Sequence, residues 1–444
     1  MEREFKKSKM SVDVRIGVQL ESFGCGGHHE GLVYLDWNAT SPIFPEVSIE
    51  MQPFVSTHWG NPSSSHAFGK PCRTAVELGR TRVAALLGCD ADEILFVSCG
   101  SEADNHALRS AVALGRTALG GDATPHVVTS CIEHPAILVC LDAMEEAGEI
   151  SQTRVSANME GLVDPAEVVA ALREETVLVT VMHSQNEVGS VMPIREIVVA
   201  VAEAHRAGRT VIRPSVHTDA AQSCGKVPVK VRELGVDLAT VVGHKFGAPK
   251  GVAALYHRRR ARSGEDGAAP PLTPLIYGGG QEDHQRAGTE SALMISALGK
   301  ACEIASRELD ATAAHMRMLR RRLLDGLTAG LGAESVVVNG PRDAKRRLPN
   351  TLSVALLGTS SPSVLRAVSH VLACSASAAC HTGGPTASKV LVACGIPAHI
   401  CLATLRLSVG RHTTVEDVDK AVEILVAEAL RQRASAAAPS PSTT

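Results

Sequence analysis

From Gly31 to about Arg433 the chain alternates short apolar runs with longer amphipathic stretches. Ile94–Val97, His126–Thr129, Val177–Met182, Val211–Val216 and Leu238–Val242 are short, rich in Val, Ile and Leu, and closed by polar residues, as strands buried on both faces are. Between them Ala103–Leu114, Pro135–Ala147, Pro165–Arg173 and Ile194–Ala207 carry a helical period. Strand–helix alternation with continuously apolar strands predicts an α/β layer fold around a mainly parallel sheet. Arg258–Pro274 is charged and then Gly/Ala/Pro-rich, which predicts a surface loop. Ser291–Gly330 is helical almost throughout and leads into strand candidates Ser335–Asn339 and Asn350–Ala355 and a terminal helix, Val415–Gln432. The expected division is a large domain over residues 31–300 and a smaller α+β domain over 301–433, with part of the N-terminal segment packing on it. Residues 1–30 and 434–444 are expected to be tails, and no internal repeat is visible.

Composition narrows the function. The chain has 444 residues, 45% of them hydrophobic, and a net charge of −3. That balance argues against nucleic acid or an acidic membrane as the main partner, since both call for a concentrated basic surface. No apolar stretch reaches membrane-spanning length. Seven Phe, three Tyr and two Trp leave few rings on which a flat ligand could stack. Twelve cysteines without a Cys-x-x-Cys pair read as reduced thiols. The Cys25-Gly-Gly-His-His29 tract reads as tail, so no metal is expected. The first 31 residues lack the apolar run of a signal peptide and carry too much acid for a mitochondrial presequence. Cytosol is the expected location.

Ligands of open α/β sheets collect beyond the carboxyl ends of the strands. Ile94–Val97 is followed by Ser98-Cys-Gly-Ser-Glu-Ala-Asp-Asn105, a small-residue turn opening a helix, with Ser101 and Asp104 spaced as a capping box. Such a helix start can hold an anion. The next strands end in Ser130-Cys-Ile-Glu-His134, His183-Ser-Gln-Asn-Glu-Val-Gly189, His217-Thr-Asp-Ala-Ala-Gln222 and Gly243-His-Lys-Phe-Gly247. One such polar group is usually structural; five consecutive strand ends bearing them point to a site. A desolvated Lys can bond to an aldehyde, an Asp can hold a pyridine nitrogen protonated, and Gly100–Ser101 can cup a phosphate. Those are the parts that pyridoxal 5'-phosphate needs from a protein. Neither G-x-G-x-x-G after the first strand nor G-x-x-x-x-G-K-[ST] is present, which disfavours dinucleotide and nucleoside triphosphate binding.

Further landmarks are Tyr34-Leu-Asp-Trp-Asn-Ala-Thr40, Gly60-Asn-Pro-Ser-Ser64, Gly278-Gly-Gly-Gln-Glu282, Arg286-Ala-Gly-Thr289, Ala378-Ala-Cys-His381 and Leu405-Arg-Leu-Ser-Val-Gly-Arg411. In this order the motifs resemble the cysteine desulfurase and selenocysteine lyase family, in the class V aminotransferase-like group of pyridoxal-phosphate enzymes. The resemblance runs from about Tyr34 to Arg411 and implies the fold-type-I transferase architecture. It implies that Lys245 bonds to the cofactor and moves the substrate's Cα proton, while Asp219 pairs with the pyridine nitrogen. His134 would stack on the ring and take part in proton transfer. Asn186 and Gln222 would contact the ring oxygen, with Asn186 also near the substrate. Gly100, Ser101 and His244 would bind the phosphate. Thr289 would reach the phosphate of a neighbouring subunit, so a homodimer is expected, and Arg406 would clamp the substrate carboxylate.

Cys380, within small residues suited to a moving loop, is then the expected nucleophile, with His381 beside it and Cys374 as a rival or resolving thiol. The implied reaction converts L-selenocysteine to L-alanine and reduced selenium. Its rival gives L-alanine from L-cysteine and leaves a persulfide on Cys380 for a sulfur acceptor protein. Ala378-Ala-Cys-His381 leans toward the lyase branch. An aminotransferase, or a structural homologue without cofactor, is a more distant alternative. The family pattern also usually has Gly or another small residue where Cys99 stands; if that position needs a positive φ, a side chain there would strain the turn.

Overall fold

The computed structural model describes residues 31–121, 123–259, 271–376, 378–381 and 384–437. The Cys25–His29 tract, the far C-terminal tail and most of the predicted 258–274 loop lie outside the described residues.

A strand at Val33–Tyr34 (β1) opens the described chain. The large domain follows, with β2 (Ile94–Val97), β3 (His126–Ser130), β4 (Ser151–Val155), β5 (Thr176–Thr180), β6 (Ser215–Asp219), β7 (Leu238–Val242) and β8 (Ala253–His257). These seven form one sheet in the order β2-β8-β7-β6-β5-β3-β4. β8 is antiparallel to both neighbours, and the other strands run in one direction. The chain therefore extends the sheet one way from β3 to β4 and the other way from β5 to β7. Open sheets of this kind gather their ligands where the direction of extension reverses.

Every residue of β2, β3, β5, β7 and β8 is buried, which accounts for their continuous apolar runs. The predicted strand Val211–Val216 is corrected to Ser215–Asp219. Pro214 has no N–H to give a central ladder, and Val211 lies 63% exposed before it. The helix Gly100–Leu119 lays Ala103, Ala107, Leu108 and Ala111 on the sheet, in one core with Val127, Leu178 and Leu255. It approaches closely because Gly115 has no side chain: a Cβ there would stand 2.4 Å from Val177.

The helix Ala292–Leu331 runs 40 residues, capped by Ser291, whose side chain accepts from Met294 N–H. Its first half packs Ile295, Leu298 and Cys302 into the large core. Its second half gives Met316, Leu319, Leu323 and Leu327 to a separate core with Leu352, Val354, Leu405 and Leu407. The smaller C-terminal domain holds β9 (Val336–Val338), β10 (Thr351–Leu356), β11 (Leu372–Ala373), β12 (Ser375–Ala376), β13 (Ala378–His381), β14 (Gly384–Ala387) and β15 (Thr404–Ser408). β12-β15-β10-β9 make an antiparallel sheet, and β13 and β14 form a separate hairpin. β1 pairs in parallel with β11, and Val33 and Leu35 enter the smaller core. The terminal helix, Val415–Ala437, packs Val418, Ala421 and Leu425 there as well. Among the described residues, no helix is long and apolar enough to cross a membrane.

Leu323 is fully buried where the long helix meets the small sheet. Leu323→Ala is expected to cost about 2–5 kcal/mol, seen as earlier unfolding in urea, with the cofactor site of the large domain retained at low denaturant.

Candidate active site

The carboxyl ends of β2, β3, β5, β6 and β7 open on a single cavity of about 320 Å³. Gly100, Ser101, His134, Asn186, Asp219, Gln222, His244, Lys245 and Arg406 all line it, with Asn38, Cys99 and Asp104. Nine of the expected site residues, drawn from six segments far apart in sequence, thus face one space.

The turn after β2 sets the cavity's anion end. The helix starts at Gly100 with Cys99 as N-cap at φ −163° and ψ 169°. That is ordinary extended backbone, so Cys99 imposes no strain. Gly100 is required by contact, because a Cβ there would lie 2.6 Å from Val242 on β7. The expected Ser101–Asp104 capping box is not formed. Ser98 N–H donates to Glu102 at 2.7 Å instead, and Glu102 is held by Arg286 at 2.8 Å. Ser101 remains exposed in the first turn, beside free helix N–H groups. Asp104 turns inward: it is buried, its Oδ1 has no hydrogen-bond partner, and His217 Nε2 lies 3.9 Å away.

Lys245 follows β7 in a single 3-10 turn. Its Nζ donates to the carbonyls of Asn38 at 2.9 Å and Ala39 at 2.8 Å. Burial, reinforced by the Arg406 charge, draws its pKa down to about 8. Asp219 closes β6, accepts from Ala221 N–H at 2.8 Å, and is pushed up by burial against the opposing charges of His134 and Lys245. Burial also pushes Asp104 well above the carboxylate range, with Asp219 adding to the effect. His134 caps its helix by accepting from Ala136 N–H at 3.1 Å. That bond needs an unprotonated Nδ1, so the neutral ring carries its proton on Nε2. Partial burial lowers its pKa. His244 Nδ1 meets Thr40 Oγ1 at 3.1 Å, and burial takes this ring down to about 4, which keeps it neutral.

Arg406 enters from β15 of the smaller domain. Its Nη2 donates to Asp36 at 2.8 Å and to Ser375 Oγ at 3.1 Å, and its Nη1 reaches Asn186 O at 3.3 Å. Its buried Nε has no partner. Ser375 on β12 stands directly opposite Arg406 in the sheet, and five residues further on the chain reaches Cys380 on β13. The Cys380 side chain lies outside the described residues. Cys374 is a poor rival nucleophile, since burial and the Asp36 charge push its thiol to about 12. Thr289 is exposed and does not line the cavity.

A lowered lysine amine, a buried carboxyl facing it and a helix start with open N–H groups fit the aldehyde, ring nitrogen and phosphate of pyridoxal phosphate. The unpartnered Asp104 oxygen and Arg406 Nε show polar capacity that the protein itself does not use. The comparisons with known proteins decide the family. The sequence profile described as Aminotransferase class-V matches residues 33–421. The chain belongs to the class-V aminotransferase family. It is 38% identical over 423 residues to a human selenocysteine lyase, covering 90% of this chain and 93% of that one. It is 36% identical over 394 residues to the cysteine desulfurase IscS of Dictyoglomus turgidum, covering 88% and 93%. Among solved structures a NifS-like protein superposes with a TM-score of 0.79 at 31% identity, covering 89% of this chain and 99% of that one. Enzymes of this family depend on pyridoxal phosphate, and the cofactor expected from the strand ends is the family's own.

Three lining or supporting residues were not among the cofactor or substrate contacts expected from sequence. Asn38 sits inside a recognised motif and Asp104 inside the phosphate turn, so each carried a weak signal. Lys226, buried four residues after Gln222, carried none.

Because Lys245 titrates near 8 and not at its usual 10.5, its amine is mostly neutral above that pH. Capture of added pyridoxal phosphate by the cofactor-free protein is expected to accelerate through pH 8 and level off well below pH 10, followed by absorbance in a stopped flow.

Proposed function

We propose that the protein removes selenium from L-selenocysteine, releasing L-alanine, with Arg406, Lys245 and Cys380 as the residues that bind, deprotonate and accept. The observation that carries this reading is the register of β12 on β15: the segment leading to Cys380 is pinned opposite the guanidinium that would hold the substrate carboxylate. The cofactor, when bound, supplies an electron sink for the pair released at the substrate's Cα.

Arg406 lines the cavity and is held in orientation by Asp36 and Ser375 at its Nη2, so a substrate carboxylate meets a fixed guanidinium. Lys245, with its pKa drawn down from 10.5 to about 8, has a far larger neutral fraction at physiological pH than an ordinary lysine, and in that form it can take the Cα proton and return it. His134 holds its Nε2–H toward the cavity as donor. Asp219 is placed to hold the pyridine nitrogen's proton, and Gly100 and Ser101 to receive the phosphate with neutral His244. In the desulfurase form of the reaction the Cys380 thiolate attacks the substrate sulfur. A new S–S bond forms, the Cβ–S bond breaks, its electron pair stays on Cβ, and a proton there completes alanine. Selenium is more polarisable than sulfur and its bond to Cβ is weaker, so the same attack by Cys380, with the pair left on Cβ, proceeds more readily at selenium and a site of this kind favours selenocysteine. L-Cysteine, with transfer of persulfide sulfur to an acceptor protein, is the second reading, favoured by relatives named cysteine desulfurase.

The same reading makes the protein a cytosolic homodimer in which Thr289 serves the partner's site. Trp59 and Phe68, stacked at 5.1 Å yet 70% and 60% exposed, offer apolar surface for a second copy to cover.

The test is alanine release from L-selenocysteine and from L-cysteine under the same conditions. A higher kcat/KM for L-selenocysteine is expected, and a preference for L-cysteine would establish the desulfurase reading instead. Cys380→Ala is expected to cut desulfuration by on the order of 10³-fold or more while leaving cofactor binding intact. Full activity of that variant on both substrates would remove Cys380 from the reaction.

A further inference from the structure

Lys226 lies behind the active site and not in it. It is 5% exposed, sits in the segment after β6, and no step above uses it. Its Nζ donates to Gln222 Oε1 at 2.7 Å and to Asn38 Oδ1 at 3.1 Å. Asn350 Nδ2 donates to the same Asn38 oxygen at 2.9 Å. Lys226 thus acts as donor in both bonds, and each amide facing it presents its oxygen. The consequence for Gln222 is a fixed orientation: Oε1 turns to Lys226, and the Nε2 amide must lie on the cavity side. There Nε2 donates to Asn38 O at 2.9 Å, the same carbonyl that receives Lys245 Nζ. For Asn38 the same rule turns Nδ2 to Asn186 O at 3.1 Å and Thr351 Oγ1 at 2.8 Å.

We propose that Lys226 is a positioning residue that locks the Gln222 amide as an N–H donor toward the ring oxygen of the bound cofactor. Without that lock Gln222 can rotate and present its carbonyl to an oxygen that carries negative charge. The cost of burying Lys226 is thereby spent on orientation. Burial and the nearby Lys245 charge hold its pKa well below the usual 10.5, and both of its acceptors are amide oxygens. Loss of an N–H donor makes the ring oxygen more basic, so the proton shared with the Lys245 nitrogen is held more tightly. The inference rests on the family's cofactor and is independent of which amino acid is cleaved.

The experiment is a pH titration of the visible absorbance that pyridoxal phosphate acquires on bonding to Lys245. It compares wild type with Lys226→Met, Gln222→Ala and the double variant. The midpoint of Lys226→Met is expected to rise by about one pH unit, the scale of one charge-assisted hydrogen bond. The double variant is expected to match Gln222→Ala alone, because Lys226 acts through Gln222. Additive shifts, or a Lys226→Met midpoint equal to wild type, would overturn the proposal. Lys226→Gln, which keeps a donor, is expected to recover part of the shift, and serves if the Met variant folds poorly. A readout that needs no cofactor accompanies it: the Gln222 side-chain amide in the cofactor-free protein should give one well-resolved NMR pair that broadens in Lys226→Met. An unchanged pair would count against the lock even if the substrate reading above failed.

Discussion

Asn38 is bonded through every polar atom it has. Its N–H goes to Ser408 Oγ and its Nδ2 to Asn186 O and Thr351 Oγ1, while its Oδ1 accepts from Lys226 and Asn350 and its carbonyl from Gln222 and Lys245. Thr351 and Ser408 are on strands of the smaller domain; Asn186, Gln222, Lys226 and Lys245 follow strands of the large one. One buried amide therefore ties the edges of two cores together at the floor of the cavity. Buried amides cost free energy when any bond is missing, so this one holds both domains to a single relative position. The distance between the Lys245 amine and the Arg406 guanidinium, on which the chemistry depends, follows from that constraint.

Around this joint the protein collects buried ionisable groups that elsewhere would be excluded. Glu133, raised to about 8 by burial, accepts from Ser130 and from Met182 N–H. Asp104 and Asp219 are raised by the same cause. His217, two residues before Asp219 on β6, is driven down to about 3 and bonded to Thr180 and Thr240. Groups held neutral thus lie around the carboxyl placed for the cofactor's nitrogen, and the basic side chains of Lys245 and Arg406 line the same cavity. Clusters of shifted groups in one cavity are the physical mark of a catalytic site.

Much of this was legible in the chain. The strand ends were readable because buried strands are continuous apolar runs and whatever polar residues close them stand out. Arg406, Thr289 and Cys380 were not readable that way: they lie beyond the large sheet and entered only through resemblance to known enzymes. The β6 boundary was misplaced because hydrophobicity extended it backward over Val211 and stopped before His217, Thr218 and Asp219, which are polar yet buried. Asp104 was read as a capping partner from its spacing to Ser101. The helix in fact starts at Gly100, which makes Asp104 its fifth residue, buried, and leaves the capping contact to Glu102.

The sequence by itself determined the α/β class, the set of reactive groups at the strand ends and hence the kind of cofactor, because these depend on local pattern and residue chemistry. Only the tertiary structure decided which of those groups are charged and which way their amides face. Burial sets the first, as in the amine of Lys245, and partners some 148 to 370 residues apart set the second, as at Asn38. Neither quantity has a local signature, since a desolvation cost and a shared hydrogen bond exist only once distant segments have met.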